Sequence, residues 1–104
     1  MKIVVVRHHV LPDAEHTAIA RINTMTERIR AQPGLCFRHV GRELDDPACV
    51  VSVTAWSTDA DCARWEAVLA ASPLPKVDRS SLYRSVEHIV VDAPAGPISA
   101  QQVG

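Results

Sequence analysis

The sequence predicts an α+β domain of ferredoxin-like order, β-α-β-β-α-β, built on one four-stranded antiparallel sheet. Three observations lead there. Four β-rich apolar runs occupy residues 2–10, 35–44, 49–56 and 82–91. Two stretches between them repeat their apolar residues at helical spacing, and most boundaries carry a turn or capping signal. A chain of 104 residues is one small domain. Its organised part is expected over residues 1–91. Residues 92–104, rich in Pro, Gly and small side chains, are expected as a tail that is flexible or laid on a partner subunit.

The elements follow in order. KIVVVRHHV (2–10) is apolar on both alternating faces until its end, which marks a strand covered on both sides. Leu11-Pro12-Asp13 breaks it, with Asp13 placed to cap the first helix and Glu15 in its first turn. Ile19, Ile22, Met25 and Ile29 recur at helical spacing, Arg28 and Arg30 stand near the C-terminus, and Pro33-Gly34 stops the helix. LCFRHVGREL (35–44) alternates as a second strand, residues 45–48 turn, and CVVSVTAW (49–56) returns as the third strand. Thr58-x-x-Asp61 is a capping-box variant opening the second helix. That helix carries Cys62, Trp65, Val68 and Leu69 on one face and ends before Pro73. PLPKVDRSS is a loop with room for a short helical turn, and LYRSVEHIVV (82–91) is the fourth strand.

Right-handed crossovers place both helices on one face of such a sheet. On the third strand Val51, Val53 and Ala55 suit that helix-covered face, leaving Val50, Ser52, Thr54 and Trp56 for the other. The first strand is mostly Val and Ile on both faces, so the second face is also expected to be covered, most simply by another copy of the chain. Two sheets face to face make a homodimeric α/β barrel with a cavity in each subunit.

Composition narrows the function classes. A formal net charge of −1 speaks against a nucleic-acid or anionic-membrane surface. No apolar run nears the roughly 20 residues of a membrane span, and the N-terminal stretch reads as a strand rather than a signal peptide, so a cytoplasmic location is expected. Three cysteines without a CxxC spacing point to reduced thiols and not to a disulfide framework or a zinc site. His9, His39 and His88 lack the local spacing of a metal set, so no metal is expected. Asp45-Asp46 is turn chemistry, and His8 and His16 are read as surface residues.

The segment QPGLCFRHVGRELDDPACVVSVTAWSTDADCARWEA (32–67) resembles the antibiotic biosynthesis monooxygenase domains. The shared pattern is a helix ending in Pro-Gly, a strand, an acidic-Pro turn, a strand ending in Trp, and a Ser/Thr-Asp cap. The resemblance spans residues 1–91 and implies a homodimeric barrel. It further implies cofactor-free oxidation of aromatic polyketides or quinols by dioxygen in some members and haem cleavage in others. It places Trp56 on the substrate cavity wall. The family's two strand asparagines fall at Ser52 and about Arg7. Trp65 matches the helical tryptophan of haem-degrading members, but Ser72-Pro-Leu-Pro-Lys76 stands where they carry an iron-binding histidine, so haem is not expected and no cofactor is.

Cofactor-free oxygenation needs an electron-rich substrate anion held dry beside a base or donor. The candidates are Arg7, His9 and Trp56 as catalytic residues, with Ser52, Tyr83, His39 and Trp65 as substrate contacts. Arg7 has a structural alternative, an ion pair with Glu43 or Glu87. Trp65 has another, packing between helix and sheet. The expected ligand is a small aromatic or quinonoid molecule. A cyclase, isomerase or decarboxylase on the same fold, or a non-catalytic binding dimer, are the competing functions.

Overall fold

A computed structural model describes residues 1–100, and the last four residues of the expected tail lie outside them. The elements are β1 (Lys2–Val10), α1 (Glu15–Arg30), β2 (Leu35–Arg42), β3 (Cys49–Trp56), α2 (Asp59–Ala71) and β4 (Tyr83–Asp92). All pairings are antiparallel in the order β2-β3-β1-β4, the ferredoxin-like arrangement. Mutual backbone hydrogen bonds between Met1 and Ala93 close the outer end of the β1–β4 pair.

Local signals acted largely as their chemistry requires. Thr58 Oγ1 accepts from the Asp61 backbone N–H at 3.1 Å and donates to the Asp61 carboxylate at 2.9 Å, so the capping box forms. Gly34 ends the α1 turn at φ +85°. Asp13 is a correction. It lies in a 3₁₀ turn, Pro12–Ala14, and α1 starts behind Ala14 without a side-chain cap. Pro12 presets the tight turn, and that turn takes the place of a capping side chain.

The face assignment on β3 is also corrected. Val50, Ser52, Thr54 and Trp56 face the helices. Val50 packs with Ala18 and Ile22 of α1, and Trp56 packs with Ile29 of α1 and with Cys62 and Trp65 of α2. Val51, Val53 and Ala55 therefore take the open face, with Val5 and Ile3 of β1 opposite them. Polarity alone sends Ser52 and Thr54 outward, yet they are buried because the helix side holds a polar-lined cavity between two core clusters.

Two bulges set the remaining orientations. In β2, Leu35 stands opposite Trp56 and Phe37 opposite Ala55, so one extra residue, Cys36, is inserted. In β4, Val10 stands opposite Tyr83 and His9 opposite Ser85, which inserts Arg84. An inserted residue exchanges the faces of everything beyond it. The insertions turn Arg38 and Tyr83 toward the helices.

Candidate functional site

The cavity between sheet and helices has a volume of about 470 Å³, within the roughly 300–1,000 Å³ of small-molecule sites. One end is aromatic and apolar, walled by Trp56, Trp65, Met25 and Leu69. Trp56 is 1% exposed, and the Arg28 guanidinium lies 5.7 Å from the Trp65 ring. Both tryptophans thus serve core and cavity at once, Trp56 from the end of β3 and Trp65 from the inner face of α2.

The polar lining is drawn from β1, β3 and both edge strands of the sheet. His8 projects from β1 and its Nδ1 lies 3.1 Å from the Val50 carbonyl. A carbonyl oxygen only accepts, so Nδ1 carries the proton and Nε2 keeps the lone pair. Burial is the main cause holding the His8 imidazole below its usual protonation range, against the pull of the Val50 carbonyl. Its ring is tilted against that of Tyr83 with centroids 5.3 Å apart. The Tyr83 phenol is pushed up by burial. Arg38 reaches in from β2, donating from Nε to Thr26 Oγ1 at 2.9 Å and from Nη1 to Thr54 Oγ1 at 2.7 Å. Thr26 in turn donates to the Ile22 carbonyl at 3.0 Å, which leaves its oxygen oriented to receive the guanidinium.

Of the residues singled out in the sequence, Ser52, Trp56, Trp65 and Tyr83 meet in this cavity. Arg7, His9 and His39 do not reach it. They stand on the opposite sheet face, in register with Val51, Cys49 and Val53. There Arg7 donates to Glu43 at 2.8 Å and to Glu87 at 3.1 Å, the structural alternative foreseen for it. His9 Nε2 lies 2.5 Å from the same Glu87, and His39 stacks on Phe37. The Glu43 carboxyl is held low first by its Arg7 hydrogen bond, and Glu87 first by His9.

His8 and Arg38 are the residues that reading the sequence missed. For His8 a signal existed. Adjacent strand residues point to opposite faces, so one of His8 and His9 enters the cavity, and His9 was expected there in place of His8. For Arg38 there was none, since its direction depends on the Cys36 bulge. The segment after α2 puts Pro73 and Leu74 on the cavity wall. No group of three or more potential metal ligands gathers among the described residues.

Comparisons with known proteins agree with this architecture. Rv0793 of Mycobacterium tuberculosis superposes with a TM-score of 0.72 at 19% identity, covering 94% of this chain and 98% of its own. PA3566 of Pseudomonas aeruginosa gives 0.71 at 12% identity over 90% and 94%. A structure described as an antibiotic biosynthesis monooxygenase gives 0.67 at 14% identity over 89% and 98%. At these identities the likeness is one of fold. No curated protein matches the chain significantly. The family model for antibiotic biosynthesis monooxygenase matches residues 1–68, nearly two thirds of the sequence and the part that supplies β1, α1, β2, β3 and most of α2. The chain belongs to the antibiotic biosynthesis monooxygenase family.

Proposed function

We propose that the cavity binds a small aromatic or quinonoid molecule and that the chain oxidises it with dioxygen without a cofactor. The observation that carries the reading is a neutral imidazole, His8, with its Nε2 free at the Tyr83 end of a cavity that runs on to Trp56 and Trp65. In the reaction Nε2 takes the proton from an acidic C–H of the substrate, such as the methylene of an anthrone. The carbanion adds dioxygen at that carbon, and the resulting peroxide loses water to leave a carbonyl. One oxygen atom stays in the product and the other leaves as water, so no external reductant is needed. Ile22 and Tyr83, on the His8 side of the cavity, shield the anion from water and keep it reactive. Pro73 and Leu74 offer no iron ligand after α2, which favours this chemistry over haem cleavage.

The same base supports a second reading, an isomerase or cyclase that returns the proton without using oxygen. An oxygen electrode charged with anthrones and hydroquinones separates the two. Uptake by the wild-type protein that falls 10²- to 10⁴-fold in His8→Gln is expected. Full uptake by that variant, or none by the wild type on any substrate, overturns the oxygenase reading.

The open sheet face supports a homodimer. Ile3, Val5, Val51, Val53 and Phe37 line it, and at its edge Ile89 is 48% exposed and Val91 42% exposed. This apolar patch, bordered by the Arg7–Glu43–Glu87 cluster on the same face, marks an interaction surface, and a second copy offers a matching one.

A further inference from the structure

Arginines outside the cavity mostly have carboxylates. Arg7, Arg30, Arg42 and Arg64 each form an ion pair, with Glu43 and Glu87, Glu27, Glu15 and Asp61 respectively. The three arginines lining the cavity have none among the described residues. Arg21 donates to the Pro75 carbonyl, Arg79 lies 5.9 Å from the Tyr83 ring, and Arg38 is held by two threonine hydroxyls. Glu66 is the single carboxylate in the lining. The cavity therefore carries net positive charge in an otherwise largely apolar space.

Arg38 is the most informative of the three. A half-buried guanidinium without a counter-charge is costly, and neutral hydroxyls satisfy only part of it. Of its five N–H groups, those at Nε and one at Nη1 are engaged. The pair on Nη2 and the second hydrogen of Nη1 remain, which is a donor set suited to a carboxylate. Its position separates it from the base. Arg38 is anchored at Thr54 and His8 at Val50. Those residues lie four positions apart on β3, about 13 Å at the strand rise. A ligand that fills the cavity meets the two groups at separate points.

We propose that the molecule bound in this cavity carries a permanent carboxylate on its aromatic frame, remote from the reacting carbon, and that Arg38 is the residue that anchors it. The inference rests on the cavity being the ligand site, and it adds the charge of the ligand and the residue that selects it. Arg21 and Arg79 contribute long-range attraction from the same lining.

Fluorescence titration tests it without knowledge of the substrate, because both tryptophans of the chain line the cavity. The probes are 2-naphthoate and 2-naphthylmethanol, which share a ring system and differ in charge. Wild-type protein is expected to bind naphthoate at least about tenfold more tightly. Arg38→Gln is expected to bring the two affinities together, and Arg38→Lys to keep part of the preference. Equal affinities in the wild type, or a preference that survives Arg38→Gln, overturn the carboxylate anchor while leaving the cavity as the ligand site. Quenching by neither probe overturns the ligand site itself. The wild-type comparison needs no variant and stands even if Arg38→Gln fails to fold.

Discussion

Gly34→Ala tests how the two helices are joined beside the cavity. Gly34 has φ +85°, and a Cβ built on it lies 2.5 Å from the Asp61 Cβ and closer still to its carboxyl carbon. Two separate costs follow. Holding alanine in a left-handed conformation takes about 1–2 kcal/mol. Relieving the overlap takes about another 1–3 kcal/mol, because the Asp61 Cβ is fixed to the first turn of α2 and cannot swing away. The Asp61 carboxylate is meanwhile bound to Thr58 and to Arg64, each at 2.9 Å, and Gly34 accepts from the Ser57 N–H at 2.8 Å. A loss of about 2–5 kcal/mol is expected, a large part of the roughly 5–15 kcal/mol that holds a domain of this size. Urea unfolding followed by circular dichroism, at equal protein concentration so that any dimer contributes equally, measures it. Asp61→Gly removes the overlapping atoms, so in that background Gly34→Ala should keep only the conformational cost. A loss below about 1 kcal/mol in the single variant refutes the whole account. An unchanged loss in the Asp61→Gly background refutes the overlap.

Three further outcomes are expected. Burial lowers the folded-state protonation of His8 relative to an ordinary imidazole at 6.5, so the unfolded chain binds its proton more readily. Its contribution to stability is complete above about pH 6.5 and is lost as pH falls from there through the folded value. Its imidazole C–H resonances should titrate with a midpoint below 6.5, and a midpoint at or above 6.5 contradicts the burial argument. Val53→Lys places a charge at the centre of the open face, between Val5 and His39. Light scattering should show the association of the proposed homodimer weakened at least about 100-fold in favour of monomer, and an unchanged dimer would move the interface elsewhere. Cys36 is exposed, whereas Cys49 and Cys62 are buried and burial pushes both thiols up. A disulfide reagent should therefore find one fast thiol per native chain and three after denaturation, and two fast thiols would contradict the burial of the core pair.

Much of the architecture was readable before any coordinates. Apolar spacing in α1 named Ile22 and Ile29, which are buried, and Ile19 and Met25, which pack against them. Thr58, Asp61 and the Pro33-Gly34 stop are local devices that act within a few residues, so their chemistry is legible in one dimension. The element order and the ferredoxin-like sheet followed from them, and the family resemblance placed Trp56 on a cavity wall, where it lies. The site was only partly legible. Ser52, Trp56, Trp65 and Tyr83 were named and do meet, but Arg7, His9 and His39 were assigned to a cavity that lies on the other side of the sheet.

The sequence by itself determined which segments are strands and helices and where they stop. Tertiary structure alone decided which face is which. With Val and Ile on both sides of β1, alternation carries no preference, and the polar Ser52 and Thr54 were expected on the face away from the helices when they in fact line the cavity beneath them. Packing resolved it, by burying Trp56 against Trp65 under the helices. The bulges at Cys36 and Arg84 then turned Arg38 and Tyr83 inward. A bulge is a property of two strands pairing, not of either strand, so nothing in the order of residues announces the arginine that faces the cavity.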